Sequence, residues 1–270
     1  MDELKPALPL VTFPQRFGRK PEDCRTTAWT LLHLSRPRDV QQQITLAAGR
    51  FWVGGVVRDL LLDRPLKEID LMVIGDGIEF ANILAKEMGV KKIIPFPKFS
   101  TAHIPFKPVP IEVAAAREET YDVNSRKPKK VIYTDLNGDL IRRDFTVNAM
   151  AMSLAPGSFG ELHDPHNGVK DLLAKQLITP LDPEDTFSED PIRMMRAAYF
   201  ASKLNFKIES ICRASMITQV ERIKIVSWER IRDEYIKILK TDKPSIGLVI
   251  LQKTGLMKYV FPEIDVLYDM

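Results

Sequence analysis

Glu68 and Asp70 stand two residues apart in the triplet Glu68-Ile69-Asp70. In an extended strand, residues two apart project from the same face, so both carboxylates would stand side by side while Ile69, Leu71 and Val73 face a core. Two carboxylates at that spacing can hold two Mg²⁺ ions about 3.5–4 Å apart, the arrangement that serves in-line phosphoryl displacement. Taken alone the triplet is common, and a pair of exposed acids at a strand end accounts for it equally well. Its surroundings narrow the choice. Fourteen residues before Glu68 lies Gly54-Gly55-Val56-Val57-Arg58-Asp59. Glycines let a backbone approach a phosphate closely, helix-start amides donate to anions, and Arg58 could fork onto a triphosphate. A Gly-Gly turn by itself usually binds nothing; followed by a strand with paired acids it is a more specific signal.

The elements that must position these residues follow from pattern. Phe51–Val53 reads as a short strand, Val56–Leu62 as a helix ending before Arg64-Pro65, and Ile69–Ile74 as a strand. Asp76 can cap a helix over Gly77–Met88 that stops at Gly89. Residues 93–116 read as two or three strands broken by prolines. Thr120–Gly138 is polar and reads as a mobile loop with a short strand at Val131–Tyr133. A second apolar segment runs from Arg142 to Leu154, and Gln176–Ile178 reads as a last edge strand. From Asp190 onward helical periodicity takes over and strands are expected to vanish. Before Phe51, helices are expected near Thr27–Ser35 and Val40–Ala48. The expectation is an N-terminal extension over residues 1–47, a mixed-sheet domain over 48–180 and helices over 181–270.

Composition sets the limits. A chain of 270 residues suggests about two domains, and 45% hydrophobic with 28% charged residues excludes a disordered or collagen-like chain. Net charge is only +3, yet residues 191–240 hold 11 Lys/Arg against 5 Asp/Glu, so a basic helical half is hidden in the total. Cys24 and Cys212 are the only cysteines, which excludes a disulfide framework and favours a reducing compartment. No apolar run approaches 18 residues and acids open the chain, so neither membrane span nor signal peptide is expected. A cytoplasmic protein is the expectation; oligomeric state is not legible. His103, His163 and His166 lack further ligand partners and read as structural or surface residues. Cys24 and Cys212 read as inert thiols, and Trp52 and Trp228 as packed on cores.

The run Val53–Leu62, followed by Glu68-x-Asp70, resembles the head of the class II tRNA nucleotidyltransferase and bacterial poly(A) polymerase family. Further blocks match in order. Arg142–Met150 (RRDFTVNAM) is similar to the family's RRDFTxNA block, and Asp164-Pro165 with Gly168, Asp171 and Leu172 to its D-P-x-x-G-x-x-D-L block. Glu189–Arg196 (EDPIRMMR) resembles its E-D-x-x-R block, and Ser227–Ile231 with Glu234 its neck-helix motif. The resemblance covers about residues 48–262. It implies an α+β protein: a polymerase-β-like nucleotidyltransferase head with a mixed sheet, then an all-helical neck and start of a body.

The activity so implied is untemplated addition of C and A nucleotides from CTP and ATP to the 3′ end of tRNA, with the 3′ end and acceptor stem of the tRNA as the bound partner. Glu68 and Asp70 would hold the Mg²⁺ pair, and Glu112, alternating with Ile111 and Val113, is a candidate third carboxylate. Gly54, Gly55 and Arg58 would hold the triphosphate, Arg143 would contact the nucleotide, and Asp144 or Asn148 would meet the ribose. In the family the acid and arginine matching Asp190 and Arg193 select the base. Cytosine and adenine both show an amino donor beside a ring-nitrogen acceptor, so Asp190 can accept and Arg193 donate. Uracil and guanine would leave both mispaired, and unpaired buried polar groups are costly. Arg196, one turn on, would reach the nucleotide from the same side. Asp190 before Pro191 could equally be a plain helix cap.

Two positions depart from the family pattern: Glu68 where an aspartate is usual, and Tyr199 where another arginine is usual. The stretch Tyr121–Asp135 corresponds to the loop that helps switch from C to A addition, which favours CCA-adding or A-adding over CC-only activity. Poly(A) polymerase shares the same blocks, but the strongly basic tail usual there is not found. A non-catalytic RNA-binding relative would fit Glu68 and Tyr199 yet not the intact Asp70. A small-molecule nucleotidyltransferase would share the acid pair but not the E-D-x-x-R helix. Family members usually continue well past the position of Met270, so a head-and-neck piece and a minimal relative are both expectations.

Overall fold

The computed structural model describes residues 49–269 apart from 108, 123 and 124. The extension 1–47, its two expected helices and Cys24 lie outside the described residues. The chain divides into two compact units, one holding residues 1–118, 132–140 and 148–166, the other 119–131, 141–147 and 167–270.

The first unit is built on a seven-stranded sheet in the order β3-β4-β5-β2-β1-β8-β9. Its strands are β1 (Arg50–Val53), β2 (Ile69–Val73), β3 (Ile94–Phe96), β4 (Thr101–Ile104), β5 (Ile111–Ala115), β8 (Ala151–Ser153) and β9 (Leu162–His163). Among the described strands of this sheet only β2 and β5 pair in parallel. Parallel neighbours need a crossover, and between β2 and β5 it is supplied by helix α2 (Gly77–Glu87) with the β3–β4 hairpin. Helix α1 (Gly55–Leu61) follows β1 through Gly54, whose φ of 67° and ψ of −124° lie where only glycine is comfortable. Asp76 caps α2 by accepting from the Ile78 and Glu79 amides, and Gly89 ends it at φ 70°.

Alternation fixes which face does what. Ile69, Leu71 and Val73 are buried beside Ile111, Val113 and Ala115, on the face that carries α1 and α2. On the opposite face Val53, Met72, Ala116 and Ala151 form a cluster with Leu136 and Leu140 of helix α3 (Leu136–Ile141). Asp70 shares that second face with Met72 but lies beyond the cluster, toward the start of β2. Trp52 is buried as expected.

The stretch expected as a loop with one short strand holds two strands. Strands β6 (Arg117–Asp122) and β7 (Ser125–Tyr133) make a two-stranded sheet, and α3 follows. The reason is pairing: a polar run with no hydrophobic period still forms a ladder when its two arms lie within hairpin reach.

The second unit is centred on α6 (Ile192–Leu204), preceded by α4 (Gly168–Ala174) and α5 (Pro183–Glu189), and packed against α8 (Trp228–Leu239) and α9 (Pro244–Lys253). Between them runs α7 (Ser210–Thr218), and α10 (Met257–Val260) and α11 (Pro262–Asp265) come last. Met194, Met195, Ala197, Ala198 and Ala201 are buried around α6. Gly247 brings α9 close enough for its amide to donate to Ser202 Oγ at 2.7 Å; an added Cβ would stand 2.7 Å from that oxygen.

Three expectations fail here. Gln176–Leu177 (β10) is not an edge of the large sheet but pairs in parallel with β11 (Lys207–Ile208). The same β11 breaks the expectation that strands vanish after Asp190. Neither could be read locally, because two-residue strands exist only through a partner some thirty residues away. Trp228 is 50% exposed rather than packed in a core. It opens α8, and its ring meets Phe261 edge-on at 5.4 Å while the helix core lies further along, at Ile231, Tyr235 and Ile238.

Candidate active site

Three carboxylates converge in the first unit. Ligand oxygens of Glu68, Asp70 and Glu112 all lie within 4.8 Å of one another. The cause is register: Asp70 and Glu112 are direct partners across the parallel β2–β5 pair, and Glu68 precedes β2 by one residue. Burial, and next the Glu68 carboxylate, push the Glu112 pKa up, while His103 and Arg117 pull it down. Three hard oxygen donors at this spacing fit a hard divalent cation such as Mg²⁺.

The Gly54-Gly55 turn stands beside this cluster. A Cβ added at Gly55 would lie 4.0 Å from Asp70 Oδ2 and 3.5 Å from Arg58 Nη2, so the glycine keeps open the space between the acid and the guanidinium. The Gly54 amide donates to the Met150 carbonyl at 3.1 Å, which ties the turn to the RRDFTVNAM segment. Arg58 is only 2% exposed. Its Nη1 donates to Asn148 Oδ1 and its Nε to Asp59 Oδ1 at 2.8 Å. The structure thus brings Gly54, Gly55, Arg58 and Asn148 together, with Arg58 built into the wall of the site.

The second unit carries the remaining predicted residues. Asp190 stands before α6, but its side chain is not a cap: Oδ1 and Oδ2 accept from Arg230 Nη1 at 3.1 Å and Nη2 at 2.7 Å. Arg230, on α8, belongs in the sequence to the Ser227–Ile231 block, where nothing signals its partner forty residues away. Arg193 donates from Nη2 to the Arg142 carbonyl at 2.6 Å, and from Nη1 to the Thr186 carbonyl and Glu189 Oε2. A guanidinium has five donors, and these bonds use three.

Arg196 donates from Nε to Asp144 Oδ2 at 2.6 Å, and its side chain is 36% exposed. Burial acts to lower its pKa, but Asp144, Glu234 and Asp190 outweigh it and hold the guanidinium above its ordinary value. Asp144 Oδ1 also accepts from the Phe145 amide. Arg143 is partly exposed beside it. Tyr199 lies against Phe200 and under Lys203. Among the other residues weighed in the sequence, His163 meets Phe51 edge-on at 5.4 Å and Cys212 is fully buried with its thiol pKa raised by burial. Both fit structural roles.

Comparison with known proteins agrees with this picture. The model of the poly A polymerase head domain matches residues 50–178, and that of the probable RNA and SrmB-binding site of polymerase A matches residues 205–267. An A-adding tRNA nucleotidyltransferase of Aquifex aeolicus is 47% identical over 156 residues, which are 58% of this chain and 18% of that protein. A CCA-adding enzyme of Anoxybacillus flavithermus is 34% identical over 215 residues, 79% of this chain and 52% of that one. The chain therefore spans about half the length, or less, of these curated relatives. A tRNA nucleotidyltransferase solved with a primer tRNA and an incoming ATP analog superposes with a TM-score of 0.72 at 33% identity, over 82% of this chain and 62% of the other. With its mixed-sheet head, its helical second unit and these matches in order, the chain belongs to the class II tRNA nucleotidyltransferase and bacterial poly(A) polymerase family.

Proposed function

We propose that this protein adds C and A nucleotides from CTP and ATP to the 3′ end of tRNA, completing its CCA terminus in the cytoplasm. The observation that carries this reading is the convergence of Glu68, Asp70 and Glu112 beside the Gly54-Gly55 turn. In the reaction the 3′-hydroxyl oxygen attacks the α-phosphorus, a new P–O bond forms, the bond to the β-phosphate breaks, and pyrophosphate leaves with the hydroxyl proton released. Glu68, Asp70 and Glu112 would hold Mg²⁺, which when bound would lower the pKa of the hydroxyl and neutralise charge on the leaving oxygens. The Gly54-Gly55 turn gives the triphosphate a close backbone approach, and Arg58 supplies positive charge in its wall.

Base choice is assigned to the second unit. The Arg230 fork fixes the plane of the Asp190 carboxylate, and each oxygen keeps a lone pair for an exocyclic amino group. Arg193, held by three bonds, presents its remaining donors to a ring nitrogen. Arg143, Asp144 and Arg196 serve the rest of the nucleotide. A second reading, A addition alone, is favoured by the 47% identity to the Aquifex relative.

Incorporation with Mg²⁺ on tRNA transcripts ending before CCA, after CC and after CCA, each NTP offered separately, separates these readings. Two C and one A, then arrest, is the expected outcome. A on the CC-ended transcript alone supports the second reading. Long A tails on unrelated RNA would make it a poly(A) polymerase, and no transfer to any RNA would reject catalysis.

A further inference from the structure

The sheet of the first unit gives the candidate site a direction. Reading across it from β1, the order is β1, β2, β5, β4, β3. The phosphate-cradling turn lies on the β1 side of Asp70, where the Gly55 Cβ position is 4.0 Å from Asp70 Oδ2. On the other side a single cross-strand row continues outward: Asp70 pairs with Glu112, Glu112 with His103, and His103 with Ile94. Directly opposed residues share a face, so these four side chains stand on one side of the sheet. In-line displacement puts the attacking and leaving oxygens on opposite sides of the phosphorus. With pyrophosphate leaving toward β1, the 3′-hydroxyl must arrive from the side of β5, β4 and β3.

What lies on that side suits a nucleic-acid strand. Ile94 is 51% and Phe96 49% exposed on the edge strand β3. Lys91, Lys92 and Lys98 are exposed around them. Phe96 pairs with Thr101 in the next row of the same face. Lysines flanking an edge strand, with Pro95 inside it, also guard against unwanted strand pairing; that role explains the charges but not an exposed Phe and Ile. Aromatic and apolar side chains interleaved with cations are how proteins grip single strands, the base stacking and the phosphate paired. From Glu112 to Ile94 is two strand steps, about 10 Å at about 4.8 Å each. That is room for roughly three stacked nucleotides at about 3.4 Å apiece.

We infer that the strip from Glu112 across His103 to Ile94 and Phe96 seats the last nucleotides of the RNA primer, making His103, Ile94 and Phe96 primer-binding residues. The inference rests on the proposed function and deepens it. Its test is the split between RNA and nucleotide constants in Phe96→Ala, Ile94→Ser and His103→Ala, the first two at exposed positions where folding is not at stake. Phe96→Ala is expected to raise the KM for a tRNA primer about tenfold, with the KM for CTP and ATP within about twofold of the parent. Anisotropy with a 5′-labelled single-stranded 12-mer RNA should show a matching loss of affinity. Unchanged RNA constants in all three variants, or a rise confined to the nucleotide KM, overturns the inference. If the parent transfers nothing to any RNA, the functional reading falls on its own, and the anisotropy comparison still decides the strip: equal RNA affinity in parent and variants rejects it.

Discussion

Asp70 sits where strand register, the glycine turn and two neighbouring acids meet, so its loss should be felt in chemistry far more than in folding. Asp70→Asn keeps the shape and removes the charge; transfer is expected to fall by about 10³-fold or more, as for losing several kcal/mol of metal-assisted stabilisation, with little change in Tm. Glu112 is predicted to behave differently. Burial and the Glu68 charge raise its pKa, so its ionised form is disfavoured in the folded state. The sign follows: this penalty is absent below the unfolded pKa and present in full once pH exceeds the folded one. Glu112→Gln should therefore raise Tm at pH 7 and leave it unchanged near pH 4, while transfer drops. Equal Tm for parent and variant at pH 7 would contradict the shift.

At the scale of elements, α8 matters because it brings Arg230 to Asp190. Arg230→Ala leaves the carboxylate unheld, and discrimination of CTP and ATP against UTP and GTP is expected to fall by about tenfold, the scale of one charge-assisted bond. Misincorporation kinetics with each NTP measure it; unchanged discrimination would show that Asp190 needs no support. Helix α2 depends on its cap. Asp76 accepts from two amides and from Ser100 Oγ, and these bonds, the amides first, lower its pKa. Asp76→Ala should cost about 1 kcal/mol in urea unfolding. Because the folded pKa is depressed, that difference should be present at neutral pH and shrink as pH falls through it.

For the whole chain, net charge of +3 conceals the excess of basic residues between 191 and 240. Phosphate contacts made by such a surface release counterions and make RNA affinity salt-dependent. With about four contacts on a duplex stem, affinity for tRNA should drop roughly 100-fold between 50 and 200 mM salt. CTP affinity should fall much less. A flat salt response would mean that the basic helices do not touch RNA. Among the described residues no helix is long and apolar enough to cross a membrane.

Local patterns in the sequence determined much of this protein. Glu68-x-Asp70, the Gly54-Gly55 turn, the Asp76 cap and the alternation of β2 and β5 are short-range signals, and each marks an element or a candidate residue without reference to distant contacts. Tertiary structure decided what depends on partners distant in the chain. Glu112 became the third carboxylate because β5 pairs with β2 in register. Arg58 turned inward because Asn148, ninety residues away, accepts from it. Asp190 is held by Arg230, not used as a cap. Trp228 stayed half-exposed, and the two-residue strands β10 and β11 exist only through each other. A side chain's chemistry and period are written locally, but which group answers it is set by the pairing of strands and the docking of helices.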